Sequence, residues 1–495
     1  MGERFQPLAS LEKALTAKNL LASRLFGLMG ARFGLAAFLL PLAIRAIPDL
    51  IAGPYPIGYD TIGSYVPLML DWGSGNFQSF NPMIGGWLTF AIFGTTYWAT
   101  HADPVFILKI AGPILYGFLG FSEYYFARGL LKWDTKKSLL LVLIASTYFV
   151  SLRISLDLFR NTLGISLLLI TLTLGQNIRT NRRSILFAAL IWLVSVTHLL
   201  VGGLLLAFVA IETFRSSENR LHRILCMTPA AAQISLSLVG FYLQGIGLVA
   251  ESSQSIQSLS QIAFPFYIFL PLIPVAAFGL KMLTNGTVRW WLLCCGIGLA
   301  LAAAPLSTSL VLPYRWALMM TVPMAICATE GSDRLRLLLQ RGGKLRLIRG
   351  AWLLVLLLLG GAYLALPTGS AFPYFGFFSP PSMLQSTVPL TDSSNIVNAI
   401  GWLSNHTQPG SVLMTHNAFY GWARLYFHGN ASIVGYNPDV TLQSATHDTI
   451  EKGYSRIYTL WWTDNSGAVY YQQTIPSGFV LQHQEGRIGV FLYAE

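Results

Sequence analysis

Pro54-Tyr-Pro-Ile-Gly-Tyr-Asp-Thr-Ile-Gly-Ser-Tyr65 is polar and turn-rich, and its one acid, Asp60, follows directly on the first long apolar run of the chain. Irregular backbone of this kind has no hydrogen-bond partners in hydrocarbon, so the segment marks a loop at the end of a membrane span. The rest of the sequence reads as a scaffold that brings other scarce ionisable groups to the same face. Of 495 residues, 54% are hydrophobic and 11% charged, and the mean hydropathy is +0.55. A soluble domain carries about 25% charged residues, so the chain is a polytopic membrane protein.

Working outward, apolar stretches long enough to approach a span recur at Phe33–Ile51, Pro104–Leu131, Ser138–Leu152, Thr162–Ile178, Ser184–Thr197, Leu199–Phe214, Ile224–Val249, Ala263–Leu283, Val288–Pro305, Ser309–Thr329 and Gly350–Pro367. About eleven transmembrane helices are thus expected within residues 33–367. Pro82–Thr100 is also apolar but rich in Gly, Thr and Trp. Cytoplasmic loops collect Lys and Arg, and placing Pro82–Thr100 inside a long first external loop, 52–103, puts the basic loops on one side. Those loops run from Lys132/Lys136/Lys137 to the Arg334–Arg349 cluster. Residues 1–32 carry Arg4, Lys13, Lys18, Arg24 and Arg32 without the pattern of a cleaved signal, and are expected to be a cytoplasmic lead-in. The formal charge of +11 is then explained by topology and the anionic inner leaflet, with no nucleic acid required.

From 368 to 495 the composition turns polar, and the patterning predicts an external α/β domain. Helices are expected at Ile396–Asn405, Ala418–Phe427 and Ser444–Gly453, with strands at Ser411–Thr415, Ser432–Gly435 and Arg456–Trp462. All four cysteines, Cys226, Cys294, Cys295 and Cys327, fall in apolar segments, so no disulfide framework supports this tail.

The external side carries few charges, which makes each informative: Arg45, Lys109, Arg153, Arg160 and Arg315 against Asp60, Asp71, Asp103, Asp157 and Glu251. Asp60 suits the cap of a helix over Thr61–Trp72, and a carboxylate at a low-dielectric boundary also suits a general base. In the second external turn, Asp157 and Arg160 stand three apart, the spacing of a pair on one helical turn. Alternatively they mark a site together with Arg153. His198, at a helix end, reads as a structural group or a ligand. Arg315, between Tyr314 and Trp316, reads as an aromatic-belt cation or as a phosphate fork. No phosphate-binding GxxxxGK[ST] loop, HExxH or CxxC occurs.

Gly58-Tyr-Asp60 in the first loop, Asp157-Leu-Phe-Arg160 in the second, Tyr314-Arg-Trp316 before a late span and the α/β tail together resemble the GT-C superfamily of membrane glycosyltransferases. The resemblance implies a GT-C-like helical domain, and transfer of a sugar from a polyprenyl-phosphate donor to a glycan, lipid or protein acceptor at the external face. It implies Asp60 and Asp157 as the catalytic acids, and Arg160, Arg315 and Arg153 as donor-phosphate ligands. Tyr59, His198 and Tyr314 would contact substrate, and a divalent cation, Mg or Mn, shared by Asp60 and Asp157 is left open. The chain departs from oligosaccharyltransferase-like members in Trp461-Trp-Thr-Asp464, where Thr follows the Trp pair, and in having one acid rather than two in the second loop. Two other classes fit the composition. A non-catalytic scaffold or lipid-binding protein is favoured if Asp60 and Asp157 lie too far apart to face one cavity, and a transporter would need Glu123 to meet other ionisable groups inside the bundle.

Overall fold

A computed structural model of the chain describes residues 31–77, 86–177, 181–215, 220–243, 266–303, 313–339, 343–365, 386–436, 440–464 and 474–494. Residues 1–30 of the expected lead-in over 1–32, Glu251 and residues 82–85 of the Pro82–Thr100 segment fall outside these.

The helical domain opens with α1 (Ala31–Ile51). A five-residue π turn (Thr61–Tyr65) follows and runs into α2 (Val66–Gly73). Next come α3 (Trp87–Thr100), α4 (Pro104–Gly129), α5 (Thr135–Thr147), α6 (Phe149–Asp157), α7 (Phe159–Leu174), α8 (Asn181–Thr197), α9 (Leu199–Arg215) and α10 (Arg220–Leu243). The later helices are α11 (Ile273–Met282), α12 (Gly286–Ala303), α13 (Pro313–Met319), α14 (Thr321–Leu339) and α15 (Gly343–Ala365). By length and composition three of these can cross a membrane, Ala31–Ile51, Pro104–Gly129 and Arg220–Gly240, and four can if α5 and α6, bent by 68°, count as one broken span. Among the described residues this leaves the expected count of about eleven unconfirmed. Further apolar helices such as Phe159–Leu174 and Ile273–Met282 have 10–17 residues, and at about 1.5 Å per residue they fall short of the roughly 30 Å hydrocarbon layer. At 14 residues α3 is shorter than a span as well. Small residues let helices approach closely: a Cβ on Gly279 of α11 would stand 1.8 Å from the Cys327 carbonyl oxygen of α14.

The tail follows the expected alternation. It comprises α16 (Ser393–His406), β1 (Val412–His416), α17 (Asn417–Tyr426), β2 (Ser432–Tyr436), α18 (Leu442–Glu451), β3 (Arg456–Trp462), β4 (Phe479–Glu485) and β5 (Ile488–Ala494). The sheet order is β2-β1-β3-β5-β4; β1 is parallel to both β2 and β3, and the β4–β5 hairpin adds antiparallel to β3. The three parallel strands are joined by α17 and α18, as parallel neighbours require. Trp461 and Trp462 are buried in the core of this domain, and Trp462 donates to the Asp392 carboxylate at 2.9 Å. That carboxylate also accepts two bonds from Arg487, at 2.8 and 2.7 Å, tying α16, β3 and the hairpin together. The Trp461-Trp-Thr-Asp464 indoles are therefore core groups. Among the described residues β2 and β4 are the edge strands of the sheet, and on β4 Val480 is 61% and Leu481 45% exposed.

The tail shares a hydrophobic core with the first loop: Ile62, Tyr65, Val66 and Met69 pack in one cluster with Phe419, Trp422 and Trp461.

Candidate active site

Asp60 stands immediately before the π turn, and its carboxylate makes no capping bond, so the helix-cap role is not realised. The side chain is half-buried. Its backbone N–H donates to Asp157 Oδ2 at 2.8 Å, across 97 residues of chain. Gly58 makes this approach possible on two counts. Its φ is +100°, a conformation that L side chains rarely adopt, and an added Cβ would lie 2.4 Å from the Asp157 Cβ. The first-loop turn is thus laid directly on the second-loop acid.

Asp157 ends α6 and is fully buried. It is ion-paired with Arg153, one helical turn back and equally buried, whose second Nη lies 3.3 Å from Oδ2. The expected Asp157–Arg160 pair does not form, because the helix breaks at Leu158 and Arg160 belongs to α7. Arg153, expected among the phosphate ligands, is buried against Asp157 and supports that acid. A second arginine braces the break: Arg45 of α1 donates from Nε to the Ser155 carbonyl at 2.9 Å and from Nη2 to the Leu156 carbonyl at 3.0 Å. These are last-turn carbonyls of α6, which a helix leaves without internal partners. Arg45 is itself paired with Asp49, and Lys109 ties down the end of α1 through the carbonyls of Asp49 (3.0 Å) and Gly53 (2.6 Å).

Arg160 is half-buried at the start of α7. Its guanidinium lies over the Phe90 ring, 4.8 Å from the centroid, and its backbone N–H meets the Tyr65 hydroxyl at 3.4 Å. Tyr65, the last residue of the π turn, packs on Phe90, Phe93 and Phe159. A Cβ on Gly86 would stand 3.2 Å from the Arg160 side chain and 3.4 Å from the Thr197 carbonyl, which places Arg160 beside the α8–α9 break. The residue in that break is His198, whose Nδ1 accepts from the Val201 N–H at 3.3 Å and so caps α9. Its ring is held neutral, well below the usual histidine range, by burial and then by the nearby charges of Arg160 and Arg315. Arg315, on α13, is exposed and leans on Tyr314, its Nε 3.3 Å from that hydroxyl. Tyr59 lies half-buried in the turn next to Asp60.

Asp60, Asp157 and Arg153 are thus joined by direct contacts, Arg160 meets Tyr65 at the end of the same π turn, and His198 lies under the charge of Arg160 and Arg315. Arg45, Gly58 and Tyr65 complete the arrangement; Arg45 showed only as a misplaced external cation in the sequence, and Gly58 only as part of the loop motif. Among the described residues no group of three or more His, Cys, Asp or Glu could hold a metal ion. Both Asp157 oxygens face donors, from Arg153 and from the Asp60 N–H, which is a poor setting for a Mg or Mn ligand. Glu123 is buried in α4 and enters no ion pair among the described residues.

No protein-family profile matches the chain, and none of the curated proteins is similar to it in sequence. Among solved structures it is similar to ArnT from Cupriavidus metallidurans in the apo state, with 13% identity, coverage of 96% of this chain and 98% of that one, and a TM-score of 0.52. A second match is the apo Archaeoglobus fulgidus oligosaccharyltransferase, at 12% identity, 87% of this chain, 70% of that one and a TM-score of 0.49. The chain has a GT-C-like fold, as the resemblance in its loops implied.

Proposed function

We propose that the chain is a membrane glycosyltransferase that moves a sugar from a polyprenyl-phosphate-linked donor to an acceptor at the external face. The observation that carries this reading is the Asp60 N–H to Asp157 bond, which unites acids from two separate loops beside Arg160 on a GT-C-like scaffold. Acids too far apart to face one cavity would have favoured the rival scaffold reading, and these two are in contact.

In the proposed step, the acceptor's hydroxyl or amide attacks the anomeric carbon while Asp60 takes its proton, because the protonated group is a weak nucleophile. The bond between that carbon and the phosphate oxygen breaks, and the polyprenyl phosphate leaves with the electron pair. Arg160 and Arg315 hold the departing phosphate, whose growing charge is best met by fixed cations in a water-poor site. Asp157 receives no substrate. Anchored by Arg153 and Arg45, it fixes the Asp60 backbone. Tyr59, Tyr314 and His198 are the flanking groups for sugar or phosphate; neutral His198 offers an Nε2–H donor, since Nδ1 is the acceptor for Val201. No step is routed through a metal, because the donor set does not suit one.

The test is Asp60→Asn in proteoliposomes supplied with polyprenyl-phosphate-linked glucose or mannose and a hydroxyl acceptor. Loss of about a hundredfold or more in kcat, in protein that elutes and melts like the wild type, is expected for removal of a general base. A folded variant with full transfer sinks the assignment.

A further inference from the structure

The helix that follows Asp60 is held from outside the membrane domain at both its ends. At the near end, Gly421 of tail helix α17 sits on the π turn: an added Cβ would stand 1.8 Å from the Ile62 carbonyl oxygen and 2.7 Å from its carbon. At the far end, Arg424, one turn along α17, donates to Asp71 of α2 at 2.6 Å. Phe419 and Trp422, on the same helix, are wholly buried in one cluster with Ile62, Tyr65, Val66 and Met69. Helix α17 therefore lies along the whole stretch from the π turn to the end of α2.

A π turn inserts a residue into the helical ladder, is rare, and persists where surrounding contacts hold it. Here the held residue is Ile62, two positions after the proposed base. The second anchor of that base, its N–H bond to Asp157, comes from the membrane side. Asp60 is thus suspended between two supports, and the outer one belongs to the tail. We propose that α17, through Gly421 and the Arg424–Asp71 pair, is a positioning element for Asp60, so that the tail domain sets the placement of the base as well as covering the site. This rests on the transferase reading for its chemical consequence. Gly421, Arg424 and Asp71 are positioning residues and touch no substrate.

Ordinary domain packing would place the same atoms in contact, so the test must separate the two. Full-length protein in lipid nanodiscs is compared as wild type, Gly421→Ala, Asp71→Arg, Arg424→Asp and the double swap Asp71→Arg/Arg424→Asp. Two quantities are read: transfer from polyprenyl-phosphate-linked glucose or mannose, and amide hydrogen exchange of the peptide over 58–66, which contains the Asp60 N–H. The single variants are expected to lower kcat about tenfold with KM within about twofold, as misplacement of a catalytic group does. Exchange over 58–66 should quicken while strands β1 and β3 stay protected, and the double swap should restore both. Unchanged exchange over 58–66 overturns the proposal, as does quickened exchange with wild-type kcat. A single-variant loss that the swap leaves in place overturns the role of the ion pair. Should the wild type transfer no sugar while exchange responds and reverts in the swap, the coupling stands and the chemistry assigned to Asp60 falls.

Discussion

Gly58 is the residue on which the meeting of the two loops turns. Gly58→Ala places a side chain at a φ that disfavours it and pushes on Asp157, so a cost of about 1–3 kcal/mol and a fall in kcat are expected together, read by thermal unfolding and transfer assays. Arg153 offers a sharper contrast. Arg153→Met leaves the Asp157 carboxylate buried without its ion-pair partner, a loss of roughly 3–5 kcal/mol, whereas Arg153→Met combined with Asp157→Leu should recover much of it. A double variant no more stable than the single one would show that Arg153 contributes by packing alone. The sequence marked Asp60, Asp157, Arg153 and Arg160 through their scarcity on the uncharged side, because charge near a membrane is costly and stands out. It did not show who pairs with whom. Arg153 and Asp157 are four apart on one helix, yet choosing that pair over Asp157 and Arg160 requires knowing that the helix breaks at Leu158, where neither Pro nor Gly gives warning.

Among the elements, the parallel part of the tail was legible because apolar runs of strand length alternate with amphipathic ones, and Arg456–Trp462 matches its strand end to end. The β4–β5 hairpin was not. Its first strand is mostly exposed, and a register irregularity between Leu481 and His483 breaks the alternation that would announce it. The π turn and the 68° bend at Tyr148 were equally silent in the sequence. The end of β1 carries a pH response. His416 caps α17, its Nδ1 accepting from the Ala418 N–H at 3.1 Å, and burial pulls its pKa down to about 4. Above about pH 6.5 the ring is neutral folded or unfolded; below that the unfolded chain binds a proton the folded tail refuses, so stability falls as pH drops toward 4. The protease-resistance midpoint of the tail in the intact, detergent-solubilised protein should decline over that window, and His416→Asn, which keeps a capping oxygen, should flatten the decline. A His416→Asn protein with an unchanged slope would place the response elsewhere.

Over the whole molecule, composition made the division into an apolar helical body and a polar tail plain, while the number of crossings was not recoverable, because short and broken helices do not announce whether they traverse. Sidedness can be read directly. The four native cysteines lie in the helical body, none of them exposed. A single cysteine at exposed Asn430 of the tail should therefore react with an impermeant maleimide added to intact cells, and one at exposed Thr284, between α11 and α12, should not. Labelling at Thr284 would invert the expected topology. The open β4 edge bears on how the protein behaves once purified. With Val480 and Leu481 turned to solvent on a strand that is an edge among the described residues, two tails meeting in detergent can pair strand to strand, and concentrated samples should drift toward dimers and aggregates. A lysine in place of Leu481 would act as a gatekeeper there, favouring monodisperse particles for reconstitution.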